Sequence, residues 1–205
     1  MNNVQNIVSD LGGVLLTDDD TGLVSKSTLT RKLLGVNQHD LESGWEKAWP
    51  DLKIGKISEE EFMRLFIGGV GKEPTEKLIK NLKEIWRKNV TDLPFLNQIK
   101  KLKGKYNLYL LTNIGNEWLA FKRTKFKLDD YFAGIVSSAQ EGIAKPDPKI
   151  YSILINRFNI NPGESLYVDD LERNIVAAEA FGFRTILFES LKDATTRLHV
   201  LNVEE

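Results

Sequence analysis

Five short apolar runs punctuate the chain: Ile7-Val8, Leu108-Tyr109-Leu110-Leu111, Ile135-Val136, Leu166-Tyr167-Val168 and Thr185-Ile186-Leu187-Phe188. Uninterrupted apolar stretches of this length, bounded by polar residues, predict strands buried on both faces. Between the later runs the apolar positions recur at helical spacing. Phe95, Leu96, Ile99 and Leu102 precede Gly104; Ile150, Ile153, Leu154 and Phe158 follow Asp147-Pro148; Ile175, Ala178 and Phe181 precede Gly182. Asp then Pro is a favourable helix opening, because the carboxylate accepts a free amide and proline has none to lose, and a trailing glycine is a favourable stop. Strand, helix and strand in repetition predict parallel pairing with right-handed crossovers, and so a doubly wound, Rossmann-like α/β sheet.

The stretch from Asp18 to Lys88 breaks that rhythm. Phe62, Leu65 and Phe66 follow a Ser58 cap, and Leu78, Ile79, Leu82, Ile85 and Trp86 form a second helical pattern, with no convincing strand between them. We expect an α/β core over residues 1–17 and 89–205, interrupted after its first strand by a helical cap over 18–88. Both ends of such an insertion return to the same edge of the sheet, so the cap can serve as a lid.

With 205 residues, 41% of them hydrophobic, the chain can bury a sizeable core. Its 28 basic and 29 acidic residues nearly cancel and are scattered, which argues against a nucleic-acid or anionic-membrane surface. There is no cysteine, and only His39 and His199 offer imidazole, so thiol nucleophiles, thiolate zinc sites and Ser-His-Asp triads lack parts. No apolar run approaches the roughly 20 residues of a membrane span, and no signal-like segment opens the chain; a cytoplasmic location is the expectation.

Open parallel sheets bind ligands beyond the carboxyl ends of their strands. The first run stops at Asp10-Leu11-Gly12-Gly13-Val14, the second at Thr112-Asn113 and the fourth at Asp169-Asp170, while Lys145-Pro146 lies in the loop after the third. These positions supply a carboxylate nucleophile, a hydroxyl with backbone N–H groups, an ammonium, and a carboxylate pair that repels itself unless a hard cation sits between.

That order resembles the haloacid dehalogenase superfamily of hydrolases. Four motifs carry the resemblance across essentially the whole chain: Asp10 to Leu15, Leu111-Thr112-Asn113, Lys145-Pro146-Asp147-Pro148, and Val168-Asp169-Asp170 followed by Asn174. The insertion site matches the small helical cap class, and the sugar-phosphate phosphatases, glucose-1-phosphate phosphatases among them, look most similar. The resemblance implies a Mg²⁺-dependent phosphatase of a small phosphorylated metabolite. Asp10 would take the phosphoryl group as an aspartyl phosphate that water then hydrolyses. Lys145 and Mg²⁺ would supply positive charge where it develops, with Asp10, the Gly12 carbonyl, Asp170 and Asp169 as metal donors. Thr112 and the Asn113 N–H would hold phosphate oxygens, and Asn174 would support the metal through water.

Gly12 departs from the family pattern, which carries there an aspartate that protonates the leaving oxygen and activates water, a contribution of about 10²–10⁴ in rate. Three accounts stand: a leaving group that needs little protonation, such as an anomeric sugar oxygen or acyl phosphate; substitution by the Asp18-Asp19-Asp20 run; or loss of turnover, leaving a phosphate-binding module. Asp18 to Asp20 read by themselves as a solvated turn, and Trp45, Trp49, Trp86 and Trp118 as packing aromatics, with Trp45 or Trp49 able to line the pocket and Trp118, close after Thr112-Asn113, able to reach the site mouth.

Overall fold

The computed structural model describes residues 4–17 and 27–204. In chain order the elements are β1 (Asn6–Ser9), β2 (Leu16–Thr17), α1 (Thr28–Leu34), α2 (Gln38–Leu52), α3 (Glu59–Gly69), α4 (Glu76–Asn89), β3 (Thr91–Asp92), α5 (Pro94–Lys101) and β4 (Asn107–Thr112). There follow α6 (Asn116–Phe126), β5 (Gly134–Ser137), α7 (Ser138–Glu141), α8 (Pro148–Phe158), β6 (Ser165–Asp169), α9 (Glu172–Glu179), β7 (Arg184–Leu187) and α10 (Leu191–Val200).

Five strands form one parallel sheet in the order β5-β4-β1-β6-β7. The central strand β1 sets Val8 opposite Tyr109 on one side and Tyr167 on the other. Because successive side chains on a strand point to opposite faces, each continuous apolar run is divided between two cores. Ile7, Leu108, Leu110, Leu166 and Val168 pack with Phe95 and Ile99 of α5 and Leu198 of α10. Val8, Tyr109, Leu111 and Tyr167 pack with Ile150 and Leu154 of α8 and Ile175 of α9. Each such side chain contributes about 1.5–3 kcal/mol when fully buried, which is why strands with no polar face stay between two helical layers. The Asp147-Pro148 opening behaves as its chemistry dictates: the Asp147 side chain accepts the Lys149 N–H at 2.9 Å, Pro148 is the first residue of α8, and Asn159 ends the helix with φ +50°.

The four helices α1 to α4 hold a third core, with Leu41, Leu52, Phe62, Phe66, Ile79, Leu82 and Trp86 buried together. Helices α2 and α3 meet closely because Gly44 has no side chain; a Cβ there would lie 2.5 Å from Val70 Cγ1 and 2.9 Å from the Phe66 carbonyl oxygen. Of the expected α3 stripe, Phe62 and Phe66 are buried but Leu65 is half exposed. Met63 and Ile67 take its place, since the inward stripe runs along i, i+1, i+4 and i+5 and leaves Leu65 to solvent.

A two-stranded antiparallel ladder pairs β2 with β3, with Leu16 opposite Asp92 and Thr17 opposite Thr91. The Leu93 N–H adds a bond of 2.8 Å to the Leu15 carbonyl. Asp18, Asp19 and Asp20 lie outside the described residues. Among the described residues, no helix is long and apolar enough to cross a membrane.

Candidate active site

Asp10 follows the last residue of β1, and two contacts fix its backbone: its N–H donates to the Val168 carbonyl at 2.8 Å, and Ser9 Oγ donates to its carbonyl at 2.7 Å. The chain then turns tightly. The N–H groups of Leu15 and Leu16 both donate to the Leu11 carbonyl, at 3.0 and 2.9 Å, and Gly13 N–H donates to the Leu16 carbonyl. Gly13 has φ +79°, and a Cβ on it would lie 2.5 Å from Asp170 Oδ2. A side chain would therefore both strain this turn and displace the Asp170 carboxylate.

Lys145 reaches in from the loop after α7, with its ammonium 2.9 Å from Asp10 Oδ1 and 2.7 Å from Asp169 Oδ2. Asp169, the last residue of β6, is fully buried. Its Oδ2 also accepts the Tyr167 hydroxyl at 2.6 Å, and its Oδ1 accepts the Leu171 N–H and Asn174 Nδ2, both at 2.9 Å. A carboxylate has about four lone-pair positions, and here all four are engaged. Asp169 thus lies within the acidic cluster, yet its oxygens are turned to Lys145, Tyr167, Leu171 and Asn174. Tyr167 went unnoticed in the sequence because it reads as part of an apolar strand; its spacing of two from Asp169, which puts both on one face, is the signal that marks it.

Charge and burial pull these groups apart. Burial raises Asp10 above the ordinary carboxylate value, against the attraction of Lys145. Burial also raises Asp169, but the Lys145 charge and the hydrogen bonds from Lys145, Tyr167 and Asn174 outweigh it and leave Asp169 below the usual range. Asp170 is pushed up to about 6 by burial and by repulsion from Asp10 and Asp169. Lys145 loses solvation, but its two carboxylate partners more than compensate and keep it charged.

Asp10, Asp169 and Asp170 each offer an oxygen within 4.8 Å of the others. Asp10 Oδ1 is buried without a well-directed hydrogen bond. Clustered carboxylates with only the Lys145 ammonium among them, and an Asp170 that resists ionisation, fit a hard divalent cation, which would supply the missing charge.

Thr112 ends β4, buried and facing the same cleft as Asp10. Asn113 is drawn in too, but its side chain clamps the neighbouring loop: Nδ2 donates to the Lys145 carbonyl at 3.0 Å and Oδ1 accepts the Lys145 N–H at 2.9 Å. The cleft holds about 320 Å³. Its far wall is aromatic, with Trp45 and Trp49 stacked at 5.2 Å and Trp49 and Trp118 at 5.9 Å. Both Trp45 and Trp49 line it, and so does Trp118, for which the site mouth was the alternative to core packing. Trp118 leans into the cap because Glu59 Oε1 accepts its indole N–H at 2.9 Å. Lys53, Lys122 and Arg173 also face the cleft, unmarked by any sequence motif. Lys53 is held in place by Ser138, whose hydroxyl accepts the Ile114 N–H and donates to the Lys53 carbonyl. His39 and His199 do not line the cleft; His199 pairs with Glu204 at the surface.

Comparison with known proteins agrees with this geometry. The haloacid dehalogenase-like hydrolase family matches residues 4–182. A D-ribitol-5-phosphate phosphatase of Bacteroides thetaiotaomicron is 28% identical over 211 residues, spanning 97% of this chain and 98% of its own. A HAD family enzyme of the same organism, solved as a magnesium complex, superposes with a TM-score of 0.79 at 25% identity, covering 96% of this chain and 98% of that one. Its complex with magnesium and inorganic phosphate gives a TM-score of 0.73 at 25% identity, over 92% and 98% of the two chains. The fold, the four motif positions gathered at one sheet edge, and the match over residues 4–182 place this chain in the haloacid dehalogenase-like hydrolase family.

Proposed function

We propose that the chain releases phosphate from a small sugar phosphate through attack by Asp10, under a helical cap formed by residues 18–88 on a core of residues 1–17 and 89–205. The enzyme class is phosphoric monoester hydrolase, with Mg²⁺ as cofactor. The observation that carries the reading is the Lys145 ammonium held between Asp10 and Asp169 at 2.9 and 2.7 Å, with Asp170 alongside. A carboxylate kept beside an ammonium and two further acids, facing an open cleft, has the parts of a phosphoryl acceptor.

Asp10 forms the new P–O bond as the bond to the leaving oxygen breaks, and water then releases phosphate and restores the carboxylate. Lys145, Thr112 and the Asn113 backbone hold the equatorial oxygens, whose charge grows in the transition state. Asp169 serves this step by fixing Lys145, which leaves Asp10, the Gly12 carbonyl and Asp170 as the natural metal donors. Bound magnesium would offset the repulsion between a phosphate dianion and Asp10. The β2–β3 ladder, where the chain passes twice between core and helices, is the natural hinge.

Phosphate release from a panel of sugar phosphates and p-nitrophenyl phosphate, with added Mg²⁺, tests this reading beside Asp10→Asn and excess EDTA. Turnover lost in both controls supports it. A protein that binds Mg²⁺ and phosphate but releases none across the panel would be a phosphate-binding module.

A further inference from the structure

In an in-line displacement the leaving oxygen lies opposite the attacking Asp10, toward the cap-side wall of the cleft. The cleft has an unusual donor set. Among the described residues lining the cleft, the side chains that could give a proton at neutral pH are few: there is no histidine, tyrosine or glutamate, and the two acids are Asp10 and Asp170, which belong to the carboxylate cluster. What the cleft does present is cationic. Lys145 is paired with Asp10 and Asp169 on the nucleophile's side of the phosphate. Lys53 and Arg173 line the same cleft with no ion-pair partner among the described residues, and the buried Lys122 lies beside them. An ammonium or guanidinium is a poor proton donor at pH 7 but an effective counter-charge for an oxyanion. The stacked indoles of Trp49 and Trp118 add a flat apolar face.

We infer that this cleft selects phosphate esters of a ring compound whose leaving oxygen departs as an anion, with Lys53 and Arg173 countering its charge and the Trp49–Trp118 face stacking on the ring. The inference rests on the phosphatase reading above and narrows it: the esterified hydroxyl is an acidic one, such as an anomeric hydroxyl, rather than a primary alcohol. When the bond to phosphorus breaks, the electron pair stays on the leaving oxygen, which needs no proton until it reaches solvent.

Dependence of kcat/KM on leaving-group acidity tests the inference, because kcat/KM reports the first phosphoryl transfer. With Mg²⁺ and a series running from p-nitrophenyl to unsubstituted phenyl phosphate, the wild-type value is expected to fall by about 100-fold or more, the range that general acid catalysis would otherwise level. Lys53→Gln and Arg173→Gln, both at solvent-accessible positions, are expected to lower kcat/KM about tenfold on phenyl phosphate and less on p-nitrophenyl phosphate. A level wild-type profile, or variants that match wild type across the series, would overturn the inference while leaving the phosphatase reading intact. So would faster cleavage of a sugar's primary-alcohol phosphate than of its anomeric phosphate. Silence on every ester, p-nitrophenyl phosphate included, would instead strike the phosphatase reading itself.

Discussion

The two walls of the cleft are built on opposite terms. On the core side the groups are tied to one another: Lys145 sits between two carboxylates, and Asp169 accepts four hydrogen bonds. On the side facing the cap three indoles, Trp45 and Trp49 of α2 and Trp118 of the core helix α6, lie 5.2 to 6.0 Å apart, and Lys53 after α2 and Arg173 of the core helix α9 have no ion-pair partner among the described residues. A saturated polar network has one good arrangement and fails when a member is lost. An aromatic wall with loose cations can accommodate several shapes. The core wall is therefore suited to one reaction step, and the cap wall to the choice of ester.

The largest expected effect breaks the core wall. Lys145→Met removes the cation between two buried acids and should cost about 3–5 kcal/mol in urea unfolding, because uncompensated buried charge is far worse than a missing pair. Turnover should fall by about 10²–10³ with it, as when a transition-state donor is removed. A variant as stable as wild type would show that Asp10 and Asp169 do not depend on Lys145. Next comes Asp169→Asn, expected to lower kcat by about 10–100-fold, the usual cost of losing a group that orients another. Titration calorimetry should find its Mg²⁺ affinity within a few-fold of wild type. A hundredfold weaker affinity would make Asp169 a direct ligand and break the division of labour among the acids.

The same contrast explains what the sequence disclosed. The parallel strands were legible because residues such as Leu108 to Leu111 must be apolar on both faces, Asp10, Thr112 and Asp169 because candidate groups of such sheets stand at strand ends, and Lys145 because its Lys-Pro pair marks the loop that follows β5. The β2–β3 ladder was not, since two-residue strands carry no periodicity. Leu65 misled because a spacing of three fits a helix face as well as four does, and only packing against α2 decides between them. Lys53, Lys122 and Arg173 were invisible for another reason: a lone cation has no local pattern, and only the meeting of α2, α6 and α9 over one cleft gives it meaning.

Trp118→Ala tests the cap wall. The ring lies 5.4 to 6.0 Å from Trp45, Trp49, Phe62 and Trp86, and its N–H satisfies the buried Glu59. Truncation should cost about 2–3 kcal/mol, below the roughly 3–5 of a fully buried aromatic because the ring is only partly buried. KM should rise about tenfold, as for the loss of one stacking contact with substrate, while Mg²⁺ affinity stays unchanged. A fall in kcat at constant KM would mean that the aromatic wall serves the chemical step rather than the fit of the ester.

The smallest effect lies in the cap alone, at the N-terminus of α3. Ser58 Oγ accepts the Glu61 N–H at 3.2 Å, and Glu61 Oε2 accepts the Ser58 N–H at 2.8 Å. Ser58→Ala removes the first bond and should cost about 1 kcal/mol. The Ser58 N–H and hydroxyl hold Glu61 below its ordinary value of 4.5, so the carboxylate favours the fold while ionised. That contribution is present above the unfolded value and fades as pH falls through the lower, folded one. Melting curves should then show the gap between wild type and Ser58→Ala narrowing from pH 7 to pH 3, because the variant has already lost the hydroxyl that helps hold Glu61 ionised. Mg²⁺ affinity at pH 7 should be the same in both proteins, since this helix end touches neither Asp10 nor Asp170. A metal affinity that moves with the Ser58 substitution would instead couple the cap to the core and collapse the distinction between the two walls.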